Sequence, residues 1–255
     1  MSDFLEVRGL VKDFGGLTAV ADLDLSLEEG GLLAVIGPNG CGKTTLFNLI
    51  TGALPPTAGE IRFRGQEISG LPPHRIARLG IGRKFQVPGV FTALSVRANL
   101  DIPLFAAAGA RGLRGLLRPR PAPAVIERLL AVAGLADKAD WPAGALSHGE
   151  KQWLEIAMVV AGRPRLMLLD EPTAGMTLTE TEATVKLLQS IRAESGIATL
   201  AIEHDMDFVR ALGCEVAVMM RGSILCRGDY DRVSRHPEVR RAYLGDEEDV
   251  ESAPC

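Results

Sequence analysis

The stretch 37–45 reads GPNGCGKTT and lies between an apolar run, LLAVI at 32–36, and a helical pattern, LFNLI at 46–50. A polyphosphate needs several N–H donors converging on it, and the glycines at 37, 40 and 42 permit this because they lack Cβ. The following helix directs its free N–H groups and positive dipole end at the same anion. The pattern predicts a nucleotide-phosphate loop, and a plain glycine-rich turn with a surface lysine is the weaker alternative.

Two side chains of this loop have predicted roles in binding. Lys43 would reach the β- and γ-phosphates, and Thr44 would offer its hydroxyl to Mg²⁺. The predicted ligand is therefore a nucleoside triphosphate together with Mg²⁺.

Composition sets bounds on the class of protein. The chain has 255 residues, 47% hydrophobic and 24% charged, which is ordinary for a globular protein with a sizeable core. A net charge of −4 argues against a basic nucleic-acid face. A helix that spans a bilayer needs about 18 to 20 apolar residues, and no apolar run in this sequence approaches that length. We therefore expect a cytosolic chain that meets a membrane only through partners. The cysteines at 41, 214, 226 and 255 lack metal-ligand spacing and are interpreted as reduced thiols.

The order of patterns along the chain predicts the architecture. Alternating residues at 4–10 and 17–29, with Gly15 and Gly16 between them, indicate antiparallel strands, and 60–65 is another short strand. The stretch 72–145 is predicted to be a helical insertion, with helices near 95–107 and 124–132. From 149 onward helices and strands alternate, which predicts parallel strands covered by helices.

Two segments are predicted to lie outside the packed elements. The Arg-, Gly- and Pro-rich piece 109–123 is typical of a solvated loop, with a contact to anionic lipid headgroups as the weaker alternative. The last residues, 245–255, form an acidic tail that is expected to be disordered.

The run RLMLLDEP at 165–172 is an apolar strand that ends in two carboxylates. In a doubly wound sheet the carboxyl ends of the strands are where ligands bind. We expect Asp170 to hold Mg²⁺ through water and Glu171 to act as the general base for an attacking water. Solvated acids at a strand end are the alternative.

The segment ALSHGEKQWLEIAMVV at 145–160 adds a diagnostic motif. Ser147 and Glu150 have the spacing of a capping box, which predicts a helix start here. The segment also resembles the signature motif of ATP-binding cassette (ABC) ATPases, usually LSGGQ. The remaining motifs fall into that family's order over residues 4–244: Phe14, the phosphate loop, Gln86, the signature, Asp170 and Glu171, the AGMT stretch at 174–177, and His204.

The resemblance implies an α/β fold, that of a P-loop NTPase of the ABC ATPase type. Such a fold has a central, mostly parallel sheet, an N-terminal antiparallel β subdomain and a helical subdomain. We expect one domain over 4–244, with the helical subdomain at about 87–160. The implied ligands are ATP and Mg²⁺.

The resemblance also assigns roles to residues. Phe14 would stack on adenine, Gln86 would contact Mg²⁺ or the lytic water, and His204 would contact the γ-phosphate. Catalysis would fall to Glu171, His204 and Gln86, and Mg²⁺ to Thr44, Gln86 and Asp170. The signature residues Ser147, Gly149 and Glu150 would meet ATP bound by the opposite subunit, and the phosphate loop would bind ATP through Gly37, Pro38, Asn39, Gly40, Cys41, Gly42, Lys43, Thr44 and Thr45.

Three positions depart from the family's pattern. His148 stands where glycine is usual and Glu150 where glutamine is usual, which places a negative charge near an arriving phosphate. We expect the capping interaction to neutralise Glu150 in part. The stretch at 174–177 reads AGMT, whereas the form frequent in the family ends in leucine and aspartate. Cys41 is interpreted as a small filler, with a redox brake as the weaker alternative.

Further stretches resemble one subgroup of the family, the branched-chain amino acid importers, among them KDFGGLTAV, IGRKFQVPGVFTALSV and HPEVRRAYLG. The forms SHGEKQWLEI and GRKFQ are most similar to its urea-importer branch, so urea is the preferred substrate and branched-chain amino acids the alternative. The implied partners are a second ABC ATPase subunit, two membrane permease subunits and, indirectly, an external solute-binding protein, with no nucleic acid. The chain would then lie on the cytoplasmic face of the membrane.

Other classes remain open at this point. A soluble cassette ATPase acting on nucleic acid or a protein assembly would carry the same motifs, although the acidic net charge disfavours nucleic acid. A GTPase or small-molecule kinase is weaker, because the chain lacks an NKxD-type segment.

Overall fold

The computed structural model describes residues 4–84, 89–107 and 123–244. The chain divides into two compact units. Unit 1 comprises Met1–Glu28, Leu32–Leu71 and Ile202–Cys255, and unit 2 comprises Glu29–Gly31 and Pro72–Ala201. The predicted helical subdomain at about 87–160 falls within the bounds of unit 2. The piece 109–122 and the tail 245–255, for which a loop and disorder are predicted, lie outside the described residues.

Unit 1 contains most of the strands. Its elements in the described residues are β1 (Leu5–Asp13), β2 (Thr18–Leu27), β3 (Leu32–Ile36), α1 (Lys43–Ile50), β4 (Ala58–Phe63), β5 (Gln66–Glu67), α7 (Met206–Leu212), β9 (Glu215–Met220), β10 (Ser223–Gly228), α8 (Tyr230–Ser234) and α9 (Pro237–Leu244).

An antiparallel sheet forms the N-terminal part of unit 1. Its strand order is β2-β1-β4-β5, and Leu5 of β1 lies opposite Leu27 of β2 and Phe63 of β4. The period-two pattern of these strands puts apolar side chains on one face, where they are buried. The antiparallel region predicted from the sequence is confirmed.

The strand that precedes the phosphate loop is buried throughout. All five residues of β3 are buried, and Leu33 of β3 lies opposite Glu215 of β9 in a parallel pair. A continuous apolar run is what a strand covered on both faces requires. On its other side β9 pairs with β10 in antiparallel fashion.

Unit 2 contains most of the helices. Its described elements are α2 (Pro73–Leu79), β6 (Ile81–Lys84), α3 (Val96–Ala107), α4 (Pro123–Val132), α5 (His148–Ala161), β7 (Leu166–Asp170), α6 (Leu178–Ser195) and β8 (Ala198–Ile202). Two 3-10 turns lie at Ala136–Lys138 and Ala143–Ala145.

One element of unit 2 differs from the helical structure expected for 72–145. Residues 81–84 form β6, a strand parallel to β7 in which Ile81 lies opposite Leu166 and Lys84 opposite Leu169. The sequence IGRK does not predict a strand, because two basic residues follow a glycine. Their burial depends on acidic partners elsewhere in unit 2.

Helices α3, α4 and α5 share an apolar core. Leu100 of α3, Leu130 of α4 and Leu154 of α5 are fully buried in it. The helices predicted near 95–107 and 124–132 agree closely with α3 and α4. Apolar residues three and four apart supply the buried stripe of each helix.

A buried amide fixes the entry to α3. Asn99 is fully buried, and its Oδ1 accepts the N–H of Phe91 at 2.8 Å. Its Nδ2 donates to the carbonyl oxygens of Phe91 at 3.1 Å and Ser95 at 3.0 Å. One side chain therefore satisfies three backbone groups of the loop that leads into the helix.

We predict that Asn99→Leu lowers the free energy of unfolding by about 2 kcal/mol or more, because polar backbone groups lose their partner while a side chain of the same branching takes its place. Ser95→Ala is the matched control. It removes only the cap in which the Ser95 hydroxyl accepts the N–H of Ala98, worth about 1 kcal/mol. Urea denaturation of both variants measures the difference, and equal losses would contradict the role assigned to Asn99.

Candidate active site

The phosphate loop is held closely against the backbone of neighbouring strands in unit 1. A Cβ on Gly42, where φ is 108°, would lie 2.2 Å from the carbonyl oxygen of Ala19. A Cβ on Gly37 would lie 2.1 Å from the carbonyl oxygen of Met219. Only glycine fits at either position, so these two glycines let the loop pack this closely against β2 and β9.

The ammonium group of Lys43 is held inside this loop. Lys43 begins α1 and is 7% exposed, and its Nζ donates to the carbonyl oxygens of Gly37 at 2.7 Å and Pro38 at 3.0 Å. Pro38, Asn39 and Gly40 are exposed at the tip of the loop. Thr44 and Thr45 lie in the first turn of α1, beside the free N–H groups at its start.

Cys41 is buried beneath the loop. Its N–H donates to the carbonyl oxygen of Pro38, and its own carbonyl accepts the N–H of Gly222. Burial raises the pKa of the Cys41 thiol, although the nearby Lys43 ammonium acts in the opposite direction. A buried thiol with a raised pKa is a poor nucleophile, which favours the interpretation of Cys41 as a filler.

The aromatic ring proposed to meet adenine is open to solvent. Phe14 follows β1 and is 48% exposed, and the ammonium of Lys12 lies 5.0 Å from the centre of its ring. A large apolar ring at this degree of exposure offers a stacking surface.

In unit 1, two residues follow β8. Glu203 is fully buried, and its N–H donates to the carbonyl oxygen of Val35 in β3 at 3.1 Å. The imidazole of His204 is 55% exposed, with Nδ1 4.0 Å from Oε2 of Glu203. The imidazole of His204 is therefore accessible to solvent and lies close to the buried carboxylate of Glu203.

In unit 2, the two carboxylates predicted at a strand end are confirmed as the end of β7. Asp170 is 2% exposed, and Nη2 of Arg83 donates to its Oδ2 at 2.8 Å. Glu171 takes a left-handed conformation with φ of 46°, which is strained for a residue with a side chain. Sequence reasoning missed Arg83, since nothing in IGRK indicates that it faces Asp170.

The predicted capping box at the signature is present. Ser147 caps α5 by accepting the N–H of Glu150 at 3.2 Å, and the N–H of Ser147 donates to Oε2 of Glu150 at 2.9 Å. Lys138 donates to the other carboxylate oxygen. Burial acts to raise the pKa of Glu150, but the bonds from Lys138 and Ser147 outweigh it and the pKa lies below its usual value.

A second capping box joins the start of α6 to the signature. Glu180 Oε2 accepts the N–H of Thr177 at 2.9 Å, and the backbone bond from Thr177 lowers the pKa of Glu180. Glu180 Oε1 also accepts the hydroxyl of Ser147 at 3.2 Å. A Cβ on Gly149 would lie 2.5 Å from Oε1 of Glu180, so the signature glycine gives room to this carboxylate.

The signature also contacts the stretch that follows Glu171. Nε2 of His148 lies 3.0 Å from the carbonyl oxygen of Ala174, which can only accept, so the imidazole is the donor in this contact. Two of the departures from the family's pattern, His148 and the AGMT stretch, are thus in contact with each other.

Gln86 lies outside the described residues, so its predicted place beside Mg²⁺ or the lytic water stays a prediction. The other predicted site residues lie within the described part of the chain, at the positions given above for each unit.

The Thr44 hydroxyl of unit 1 and the Asp170 carboxylate of unit 2 are hard oxygen donors, the chemistry that Mg²⁺ prefers. Over 4–84, 89–107 and 123–244, no cluster of three His, Cys, Asp or Glu side chains suits a metal ion. Each of these two residues, taken by itself, has the donor chemistry that suits Mg²⁺.

Within the part of the chain that the structure describes, none of the helices combines the length and apolar character that crossing a membrane requires.

Comparison with known proteins identifies the family. A family model described as ABC transporter matches residues 20–174, and one described as Branched-chain amino acid ATP-binding cassette transporter matches residues 223–249. The chain is 39% identical over 249 residues to the high-affinity branched-chain amino acid transport ATP-binding protein BraF of Pseudomonas aeruginosa, covering 95% of this chain and 98% of BraF. It is 36% identical over 249 residues to LivG of Escherichia coli, which carries the same description, with the same coverage.

A solved structure agrees with the sequence matches. The ADP conformation of MJ1267, an ATP-binding cassette of an ABC transporter, has a TM-score of 0.83 and 30% identity, covering 96% of this chain and 100% of that chain. The chain therefore belongs to the ABC transporter family. It has the P-loop ABC ATPase fold and is an ATP-binding importer subunit that couples ATP hydrolysis to transport, which confirms the predicted fold class and enzyme class.

We predict that Lys138 screens the unusual acid of the signature. Glu150→Gln should change ATPase activity by no more than about three-fold, because the charge it removes is already paired. Lys138→Met should lower activity about ten-fold, because it leaves the Glu150 carboxylate without its cation at the place where the signature is predicted to meet phosphate. The double variant should recover, and steady-state kinetics of all three measure this. An equal loss in the single and double Lys138 variants would contradict the screening.

The same pair predicts a pH dependence of stability. Because the folded pKa of Glu150 is depressed, its stabilisation is complete above the unfolded glutamate pKa and is lost as pH falls through the folded value. The difference in unfolding free energy between the wild type and Lys138→Met should therefore shrink on acidification, as measured by urea denaturation at a series of pH values. A difference that stays constant with pH would contradict this.

Proposed function

We propose that the chain is the ATPase subunit of a branched-chain amino acid importer. The observation that carries the proposal is the match along nearly the whole chain to proteins described as branched-chain amino acid transport ATP-binding proteins. The match of residues 223–249 to the model of the same description supports it independently of the ATPase core. These relatives favour the alternative from the sequence over the urea reading, for which they offer no support.

In the proposed reaction, the loop 37–45 binds the ATP phosphates through its backbone N–H groups and the ammonium of Lys43. Thr44 and Asp170 would hold Mg²⁺, which when bound neutralises charge on the phosphates. Glu171 accepts a proton from the attacking water, and His204 and Gln86 contact the γ-phosphate and the water. Phe14 stacks on adenine.

The proposed cycle requires a second ATPase subunit. Ser147, Gly149 and Glu150, with the N-terminus of α5, would bind the γ-phosphate held by the other subunit. Ser147 would then give its hydroxyl to phosphate in place of Glu180. The positive end of a 14-residue helix favours that exchange.

We also propose that unit 2 carries the contact surface for two permease subunits, which in turn receive solute from an external binding protein. Large apolar side chains are exposed in the segments before α3 and α5, with Phe91 50%, Leu94 40% and Trp141 49% exposed. Their segments are joined by backbone bonds, from Val96 to Trp141 and from Ala143 to Leu94. Exposed apolar side chains on connected segments are typical of a protein interface. The chain would thus work on the cytoplasmic face of the membrane.

We predict that Glu171→Gln lowers ATP turnover by a factor of about 10² to 10⁴, because the amide cannot accept the proton from water. ATP binding, measured by equilibrium titration, should persist because the loop 37–45 is unchanged. Glu182→Gln, which alters an exposed acid on α6, is the matched control and should keep full turnover. Sustained hydrolysis in Glu171→Gln would rule out Glu171 as the base.

The substrate class is tested in the complex reconstituted with the cognate permease and binding protein. Leucine, isoleucine and valine should stimulate ATPase activity, whereas urea and acetamide should not. The measurement is the ratio of stimulated to basal phosphate release. Stimulation by urea without a response to leucine would overturn the proposed substrate and restore the urea reading.

A further inference from the structure

A small apolar cavity lies between three helices of unit 2. It has a volume of about 210 Å³ and is lined by α4 with the turn after it, by α5 and by the C-terminal part of α6. Its wall consists mainly of aliphatic side chains, among them Val132, Val160 and Ile191. Two buried residues of the wall, Ala133 and Ala157, end at Cβ, so the helices meet around a gap instead of closing on it.

The lining and the volume of the cavity restrict what can occupy it. An apolar cavity of about 150 Å³ stays free of water and takes a molecule the size of benzene. Pockets for drug-sized ligands begin at about 300 Å³. A cavity of about 210 Å³ therefore suits a branched aliphatic group of about four to six carbon atoms better than it suits water or a large ligand.

Two opposite charges belong to the same cavity. Arg128 of α4 and Glu194 of α6 are both among its lining residues. Nε and Nη2 of Arg128 donate to Oε2 of Glu194 at 3.0 and 2.8 Å, and the two side chains are 69% and 41% exposed. An exposed ion pair contributes little to stability, so either group can exchange its partner at small cost. The cavity thus combines an apolar interior with one cation and one anion that are available to a ligand.

We propose that this cavity binds a free amino acid with a branched aliphatic side chain. The side chain fills the space between α4, α5 and α6, where it leaves water for contact with other aliphatic groups. The α-carboxylate binds the guanidinium of Arg128, whose planar fork matches a carboxylate, and the α-ammonium binds the carboxylate of Glu194. A zwitterion supplies a partner for both charges when their mutual ion pair opens, which a ligand with a single charge does not.

The proposal is carried by the cavity and its charges, so it stands whichever solute the importer moves. It is tested by equilibrium titration of the purified full chain without nucleotide, with leucine as the probe. Leucine should bind saturably with a Kd of about 1 mM or below. Glycine has the same charges and no side chain to bury, and should bind at least about ten-fold more weakly. Absence of saturable leucine binding up to about 10 mM would overturn the proposal.

Two analogues of leucine separate the roles of the charges. The compound 4-methylpentanoate lacks the ammonium group, and 3-methylbutylamine lacks the carboxylate. Each should bind at least about five-fold more weakly than leucine, because one of the two charged side chains gains no partner from it. Equal affinity for leucine and both analogues would show a merely apolar cavity and contradict the assignment of an amino acid.

Substitution of the charged side chains tests the same assignment from the protein. Arg128→Gln should weaken leucine binding about ten-fold without weakening that of 3-methylbutylamine, and Glu194→Gln should weaken leucine binding about ten-fold without weakening that of 4-methylpentanoate. Both side chains are exposed, so both variants are expected to fold. Glu127→Gln is the matched control, because it removes an exposed ion pair between Glu127 of α4 and Arg97 of α3 and should leave leucine binding unchanged. An unchanged affinity for leucine in Arg128→Gln and Glu194→Gln, or an equal loss in the control, would overturn the proposal.

A further variant fills the cavity from α5. Val160→Phe should abolish leucine binding while the thermal midpoint stays near that of the wild type, because the larger side chain occupies existing space. Full leucine binding in this variant would place the ligand elsewhere. If Val160→Phe does not fold, the substitutions at Arg128 and Glu194 still decide. None of these titrations involves ATP turnover or transport, so their failure is distinguishable from failure of the proposed function.

Discussion

The close approach of the phosphate loop to its neighbours in unit 1 is the constraint on which the rest of the site depends. Because a Cβ at Gly37 or Gly42 would collide with the backbone of β9 or β2, the loop can follow this path only with glycine there. That path leaves backbone N–H groups as the lining and directs Lys43 inward, onto the loop's own carbonyls. Strand packing thus determines where phosphate can bind.

In unit 2, helix caps organise the signature at the start of α5 and the neighbouring start of α6. Two long helices begin with a hydroxyl cap and a glutamate three residues later, and Glu180 of the second accepts a bond from Ser147 of the first. The signature glycine at 149 makes room for that carboxylate, and His148 donates to Ala174. The unusual residues of this signature, His148 and Glu150, therefore both have partners within the chain.

Sequence reasoning predicted the elements that carry a local signal, such as an apolar run, a period-two alternation or the spacing of a helix cap. Continuous apolar runs predicted β3 and β7, period-two alternation predicted β1 and β2, and the spacing of Ser147 and Glu150 predicted the start of α5. It missed β6, because Arg83 and Lys84 are buried only by virtue of acids that lie about 70 to 90 residues later in the chain. Contacts of that kind are set by tertiary structure and leave no local signal.

The missed strand connects two parts of unit 2 that sequence reasoning treated separately. Successive side chains of a strand point to opposite faces, so the adjacent residues Arg83 and Lys84 reach different partners. Arg83 binds Asp170 at the end of β7, and Lys84 faces Glu155 on α5. Because both pairs are buried, neither basic residue can shift without disturbing a charge. The short strand β6 therefore holds one basic residue against an acid at the end of β7 and the next one close to an acid on α5, and its own sequence predicts neither contact.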